Sequence, residues 1–422
     1  MSDANVQKPL SKKKMLQRAA IFTVAVILVF LYLNAVFTIP NSDPNRRIFN
    51  AFYAEKKDTI DAVYLGTSAT NRYFIGPLAY EETGIAGFDL AAMGMPLFFV
   101  QNLMKEVEKT QEPALYIIEL RGVLKGNEDV TDAHIRRITD SMHISSNKYD
   151  MIELAREHAG EADTGSPDVE SDASVSTADK GSTANEAGVS SDSDGTDGTD
   201  VTGESGESGQ TMFLSGGSVD DGPLDYYVPI LKYHDRITSG NLTPKDIFLW
   251  RSKNKVKGYV IGPKTLTSKP QKKPVYSDER AALEPETEQT LNELLDYCDS
   301  LGDDKQVLFV LSPYSMKNGE AEKFNTAADI VEARGYDILN CNQPEIAKEI
   351  GLDWKKDFYN SKHVNYLGAE KYTKYLAEYI SENYDMPDRR GDEKYESWSE
   401  AYDHYKEFVA PGIQPEGSEL LK

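Results

Sequence analysis

A chain of 422 residues with 46 basic and 69 acidic side chains carries a net charge of −23. That balance argues against a general nucleic-acid binder, because phosphate neutralisation needs clustered Lys and Arg. Only two cysteines, Cys298 and Cys341, are present, which excludes a disulfide-dense scaffold and a cysteine-rich zinc site and leaves one bridge or, preferably, two separately buried thiols.

The first element in the chain is an uncharged run, AAIFTVAVILVFLYLNAVFTI, at 19–39. About twenty apolar residues rising ~1.5 Å each cross a hydrocarbon core of about 30 Å. Lys8, Lys12, Lys13, Lys14 and Arg18 precede it, so the positive-inside rule puts the tail 1–18 in the cytoplasm and the remainder outside. A cleaved signal peptide is the rival reading. Its apolar region is usually shorter, and Thr38-Ile39-Pro40 makes a poor cleavage site, so a retained single-pass signal anchor is expected.

A short polar connector at 41–50 leads into a globular pattern. The apolar runs at 61–66, 87–90 and 114–120 read as buried strands, with a helix at 97–109 between the last two. Later come a helix at 286–301, a strand at 306–312, a helix at 320–334, a strand at 336–340 and a final helix at 369–382. This alternation predicts an α/β domain whose parallel sheet is covered on both faces, with any site at the carboxyl ends of the strands.

The tract 161–221 interrupts this pattern: it is almost entirely Ser, Gly, Asp, Thr, Glu and Ala, with Lys180 its only basic residue. It has too little apolar surface to offset its ordering entropy and reads as a disordered, solvated insertion. Because the globular signal resumes at Leu224, the insertion lies within one domain spanning 40–385. A basic run (Arg251, Lys253, Lys255, Lys257, Lys264, Lys269, Lys272, Lys273) reads first as a solvated loop, with anionic headgroups or a polyanion as the alternative partner. The segment 386–422 is polar, acidic and Tyr-rich, and reads as a loosely ordered extension.

Two segments sit where a parallel sheet places chemistry. Leu65-Gly66-Thr67-Ser68 ends the first strand, and the glycine permits a tight turn that presents the serine hydroxyl above the sheet. Asp357-Phe-Tyr-Asn360-Ser-Lys-His363-Val-Asn365 precedes the last helix, and its histidine can accept a serine proton if an upstream side chain orients the ring. A serine after a strand is usually a turn residue, and a lone histidine is usually structural. At opposite ends of one α/β unit, the two together favour a catalytic pair. His234, beside Asp235 and Arg236, reads as part of a structural network. His134 and His143 flank Arg136, Arg137 and Asp140 without metal-ligand spacing, so neither a metal nor a cofactor is expected.

The blocks DAVYLGTSATNRYF, GIAGFDLAAMGMP, LDYYVPILKYHDR and DFYNSKHVNYLGAEKYT resemble the SGNH/GDSL superfamily of serine esterases and acyltransferases. The likeness covers roughly 61–149 and 224–384. It is nearest the membrane-anchored, extracytoplasmic branch of Gram-positive bacteria, similar to proteins of teichoic-acid D-alanylation and alginate O-acetylation. The resemblance implies a three-layer α/β/α sandwich of flavodoxin-like order. It also implies Ser68 as nucleophile, His363 as general base, and the main-chain N–H groups of Ser68 and Gly94 as oxyanion donors. In two places the chain departs from the pattern. Many relatives have Asp where Asn360 stands, which leaves Asn360, Asp357 or a bare Ser–His dyad. The usual Gly-x-Asn is replaced by Glu119-Leu120-Arg121-Gly122, so Arg121 is either an oxyanion or anionic-substrate donor, or the partner of Glu119 or Asp140 in an ion pair.

The expected activity is therefore that of an esterase or O-acyltransferase working on acetyl- or D-alanyl-type esters of envelope polysaccharide or teichoic acid, beside a membrane-bound O-acyltransferase. The alternative is a catalytically degenerate module that binds glycan or that partner. A membrane sensor is a third reading.

Overall fold

The runs AVYLG, GFDLA and LYIIE are buried at every position and form strands β1 (Ala62–Gly66), β2 (Gly87–Ala91) and β3 (Leu115–Glu119). With β4 (Gln306–Leu311) and β5 (Asp337–Asn340) they build one five-stranded sheet in the order β2-β1-β3-β4-β5. Every pairing in it is parallel. A short antiparallel pair, β6 (Phe358–Asn360) and β7 (His363–Val364), stands apart. The computed structural model describes residues 11–124, 126, 130–164, 223–260, 271–302 and 304–409; from 165 on, the acidic insertion lies outside the described residues.

Among the described residues up to 164 the α-helices are α1 (Lys12–Val36), α2 (Pro44–Phe52), α3 (Ser68–Asn71), α4 (Gly76–Thr83), α5 (Val100–Val107), α6 (Asp132–Thr139) and α7 (Ser146–Thr164), the last of which runs four residues into the tract expected to be disordered. After it come α8 (Pro223–Tyr227), α9 (Pro229–Tyr233), α10 (Pro244–Ile247), α11 (Pro285–Asp299), α12 (Glu320–Ala333), α13 (Pro344–Glu349), α14 (Tyr366–Asn383) and α15 (Glu396–His404). The period-2 pleat divides the strand residues between two cores. Val63, Leu65, Tyr116, Ile118, Phe309 and Leu311 join Phe52 of α2, Leu103 of α5 and Phe324 of α12 in one. Tyr64, Ile117, Leu308 and Val310 join Leu376 and Ile380 of α14 in the other. Cys298 and Cys341 are free and buried, one in each core.

α1 is long and apolar enough to cross a membrane, and only 6% of its most apolar window is buried. Two expectations fail beside it. The stretch read as a connector is largely the helix α2, because Asp43 caps its first turn through Asn45 and Arg46 and its apolar stripe puts Ile48, Phe49 and Phe52 in the core. The extension read as loosely ordered carries α15. Tyr395, Trp398 and Ala401 recur at helical spacing and are buried, and Trp398 Nε1 donates to the Thr59 carbonyl at 3.0 Å. Arg389 adds an ion pair to Asp61 at 2.9 Å.

The basic run is mixed in character. Lys257 is buried, has φ +54°, and pairs with Glu55 at 2.9 Å, whereas Arg251, Lys253 and Lys255 are exposed. Lys264 and Lys269 lie outside the described residues.

Candidate active site

Ser68 opens α3 at the carboxyl end of β1, the central reversal of the strand order. Thr67 caps the turn by accepting the Ala69 N–H at 3.2 Å. The glycine before it is required by close approach: a Cβ on Gly66 would lie 2.5 Å from Thr70 Oγ1 and 2.6 Å from Glu119 Cβ. The serine hydroxyl is thereby carried above the sheet edge, where Ser68 Oγ meets His363 Nε2 at 2.8 Å.

Local hydrogen bonds on both sides hold His363. Asn360 Oδ1 accepts the N–H groups of Lys362 at 2.8 Å and of His363 at 2.9 Å, an Asx turn that bends the chain between β6 and β7. Asn365 then caps α14 by accepting from Leu367 at 3.0 Å and Gly368 at 3.2 Å. The same Asn360 Oδ1 lies 3.1 Å from His363 Nδ1. Two main-chain donors already identify that atom as the oxygen, so Nδ1 must donate to it, and the lone pair of a neutral ring faces Ser68 from Nε2. The ring stacks on Tyr359 with centroids 5.5 Å apart. Burial, with the positive charges of Arg72, Arg121 and Lys362, pushes its pKa well below the ordinary histidine value.

Asp357 does not reach the ring. Its Oδ2 accepts from Asp353 N–H at 2.6 Å and Lys371 Nζ at 2.7 Å, so of the two sequence candidates Asn360 is the one on the ring. Nor is Arg121 free to serve as an oxyanion donor. Nη1 donates to the Lys362 carbonyl at 2.6 Å, and Nη2 lies 2.9 Å from Tyr73 Oη and 3.1 Å from both the Ser312 and Pro313 carbonyls. Of the two ion-pair partners expected, Arg121 takes Glu119, at 3.9 Å, while Asp140 binds Arg136. The guanidinium is thus a clamp fixing the loop that carries His363. Glu119, whose pKa burial pushes up, accepts the Tyr64 hydroxyl at 2.8 Å beneath it.

Gly94 follows β2 with φ +71°, and its Cα packs so closely on the His134 ring that a Cβ would clash. The loop before it is held by Asn45 Oδ1 on Met93 N–H at 3.2 Å and by Arg137 on the Met93 carbonyl at 3.1 Å. Neither Ser68 nor Gly94 donates its main-chain N–H to an acceptor among the described residues.

Sequence reasoning missed Arg72, one turn after the serine. Its Nε and Nη1 are buried without a hydrogen-bond partner, and its guanidinium lies 5.6 Å from the Tyr359 ring centroid. A cation four residues after Ser68, inside the quoted block, was the signal available. Tyr73 was also missed; its hydroxyl donates toward the Lys362 carbonyl at 2.8 Å. His234 is exposed and, among the described residues, bonds its own helix end at Leu231 O, 2.8 Å away. His134 closes the capping box of α6 with Thr131, and His143 meets Arg251 at 2.8 Å. Among the described residues no three His, Cys, Asp or Glu side chains gather to hold a metal.

Fold and site together define an α/β protein with a hydrogen-bonded Ser68–His363–Asn360 line at the carboxyl edge of a parallel sheet. No protein-family model matches the chain, and neither does any curated protein or solved structure.

Proposed function

We propose that the protein is a membrane-anchored serine esterase or O-acyltransferase of SGNH type, with a flavodoxin-like three-layer domain outside the cytoplasm. The observation that carries this reading is the 2.8 Å contact of Ser68 Oγ with a His363 Nε2 whose acceptor state is set by Asn360. Ser68 attacks the ester carbonyl as His363 takes its proton, and the N–H groups of Ser68 and Gly94 receive the oxyanion. The ester C–O bond then breaks, His363 returns the proton to the departing alcohol, and an acyl-serine remains. Water or a sugar or polyol hydroxyl, deprotonated by the same imidazole, releases the acyl group. The strand order and the helices on both faces support the fold reading.

Retention of α1 is supported by its junction with the domain. Arg236 Nη1 lies 2.6 Å from the Thr38 carbonyl and 3.2 Å from that of Val36, tying the end of the helix into buried structure. With Lys12, Lys13, Lys14 and Arg18 on the other side, the helix sets the topology as N-terminus in. An anchored site then faces acetyl or D-alanyl esters of envelope polysaccharide or teichoic acid, beside a membrane-bound O-acyltransferase.

The test is covalent trapping. A fluorophosphonate probe is expected to label Ser68, read by mass spectrometry, and Ser68→Ala is expected to abolish both labelling and turnover of an activated acetyl ester while the fold survives. A folded wild-type protein that is neither labelled nor active would overturn the reading. It would favour the second one, a binding module for glycan or the acyltransferase, which the neutral Asn360 at the ring supports.

A further inference from the structure

The sequence blocks read as esterase hallmarks include one, LDYYVPILKYHDR, whose contacts run to the end of α1, and its surroundings carry a different role. The end of α1 is seated on α9 and α10: Val36, Phe37, Ile39 and Tyr233 form a small core of their own, to which Leu249 adds. Asp246 accepts Asn41 N–H at 2.8 Å and Arg236 Nη2 at 2.7 Å, so the seat is polar-locked as well as apolar. Higher on α1, Tyr32 donates its hydroxyl to the Ile247 carbonyl at 2.9 Å. Leu249 adopts φ +50°, a costly conformation for a leucine. It turns inward while its neighbours Phe248 and Trp250 stay 64% and 60% exposed, their rings stacked 5.4 Å apart.

The depth of this patch follows from helix geometry. Arg18 and Tyr32 are separated by about 21 Å of α1 at ~1.5 Å per residue, and even Lys14 and Tyr32 by about 27 Å. A hydrocarbon core is about 30 Å thick, and any tilt only shortens the span. The level of Tyr32 and Ile247 therefore falls within the outer leaflet rather than above it.

We propose that Ile247, Phe248 and Trp250 form a second membrane contact, inserted into the outer leaflet beside α1, with exposed Lys245 and Arg251 at the headgroups. The partner is the lipid bilayer itself. Aromatic side chains favour that interface, and flanking cations reach its phosphates. Two rigidly linked contacts, one spanning and one dipping, would fix how the domain faces the membrane, which a single helix cannot do. The inference rests on the reading of α1 as a membrane span.

Trp250 offers its own probe, since the other two tryptophans, Trp354 and Trp398, are 8% and 0% exposed. Full-length protein is reconstituted in vesicles of plain or acyl-brominated phosphatidylcholine, and its tryptophan emission is compared with that of Trp250→Phe. The expected result is that bromine removes most of the emission difference between wild type and variant, and that aqueous iodide does not. If the protein floats with carbonate-washed vesicles but Trp250 is quenched by iodide and not by bromine, the second contact is overturned and the anchor stands. If the protein does not float, the span and the inference fall together, while Ser68 labelling still judges the chemistry separately.

Discussion

A neutral amide occupies the place from which a carboxylate commonly steers such a histidine, and the consequences can be worked out at His363. In the proposed reaction it acts as a base in its neutral form, and burial with Arg72, Arg121 and Lys362 holds its pKa well below the ordinary 6.5. Ester turnover is therefore expected to stay flat as pH falls through 6.5, with its acid limb lower still; a limb at or above 6.5 would contradict this. Stability carries the same sign: the unfolded histidine binds its proton first, so this contribution is present above the unfolded pKa and lost as pH falls below it. Asn360→Asp puts a negative charge on Nδ1–H, so the acid limb should move up. We expect kcat to rise by about tenfold or more, short of the roughly 10⁴ that such a carboxylate is worth in serine proteases. Arg121→Met should lower kcat by about 100-fold with KM little changed, because the loop carrying His363 loses its clamp. It should also cost about 3–5 kcal/mol in a denaturant melt by leaving Glu119 buried without its cation. Asp89 presents the opposite sign. Fully buried with both oxygens unpartnered, its carboxyl has a pKa raised well above normal by burial, so its penalty grows as pH rises. Asp89→Asn should stabilise the fold more at pH 8 than at pH 5.

Among the elements, the β6–β7 turn and the start of α14 form one device, since Asn360 and Asn365 fix both ends of the segment that presents His363. Replacing Asn365 with Ala should cost about 1 kcal/mol, the usual worth of a cap, and loosen the ring. α15 is a structural stave rather than a tail. Trp398 stacks on Tyr80 with centroids 6.1 Å apart and lies under Lys257 Nζ at 4.5 Å, so Trp398→Ala should cost about 3–5 kcal/mol by calorimetry or denaturant melt.

For the whole molecule, the flanks of the insertion lie together. The rings of Tyr149 and Tyr227 are 5.4 Å apart, and the Tyr227 hydroxyl bonds Glu153 on α7. Replacing 165–222 with a short Gly-Ser linker should therefore keep Ser68 labelling unchanged and add about 0.6 kcal/mol of stability for each halving of loop length. Loss of folding in that variant would show that the segment contributes more than a connection. The seat of α1 on α9 and α10 leaves no flexible spacer between that helix and the domain, since the stretch expected to be a connector is largely the buried helix α2.

The local patterns determined a good deal alone. Strand runs buried on both faces, the uncharged 19–39 segment and helices at 286–301 and 320–334 are legible because each is written in contiguous residues, the first two as unbroken apolar runs and the helices by a 3.6 period. Ser68 was legible because a turn glycine, Gly66, ends the strand before it, and His363 because it stands directly before the last helix in the block that resembles the serine esterases. The tertiary structure alone decided which partner each of these polar side chains would take. Asp357 went to Lys371, Arg121 to the Lys362, Ser312 and Pro313 carbonyls, and Asn360 to the ring. It also put an Asp246–Arg236 lock and the side chains of Tyr233 and Leu249 against the end of α1. These pairings join residues as far as 241 positions apart. Such distant partners leave no period in the sequence, and burial, which decides whether a polar group must be paired, exists only once the chain has packed.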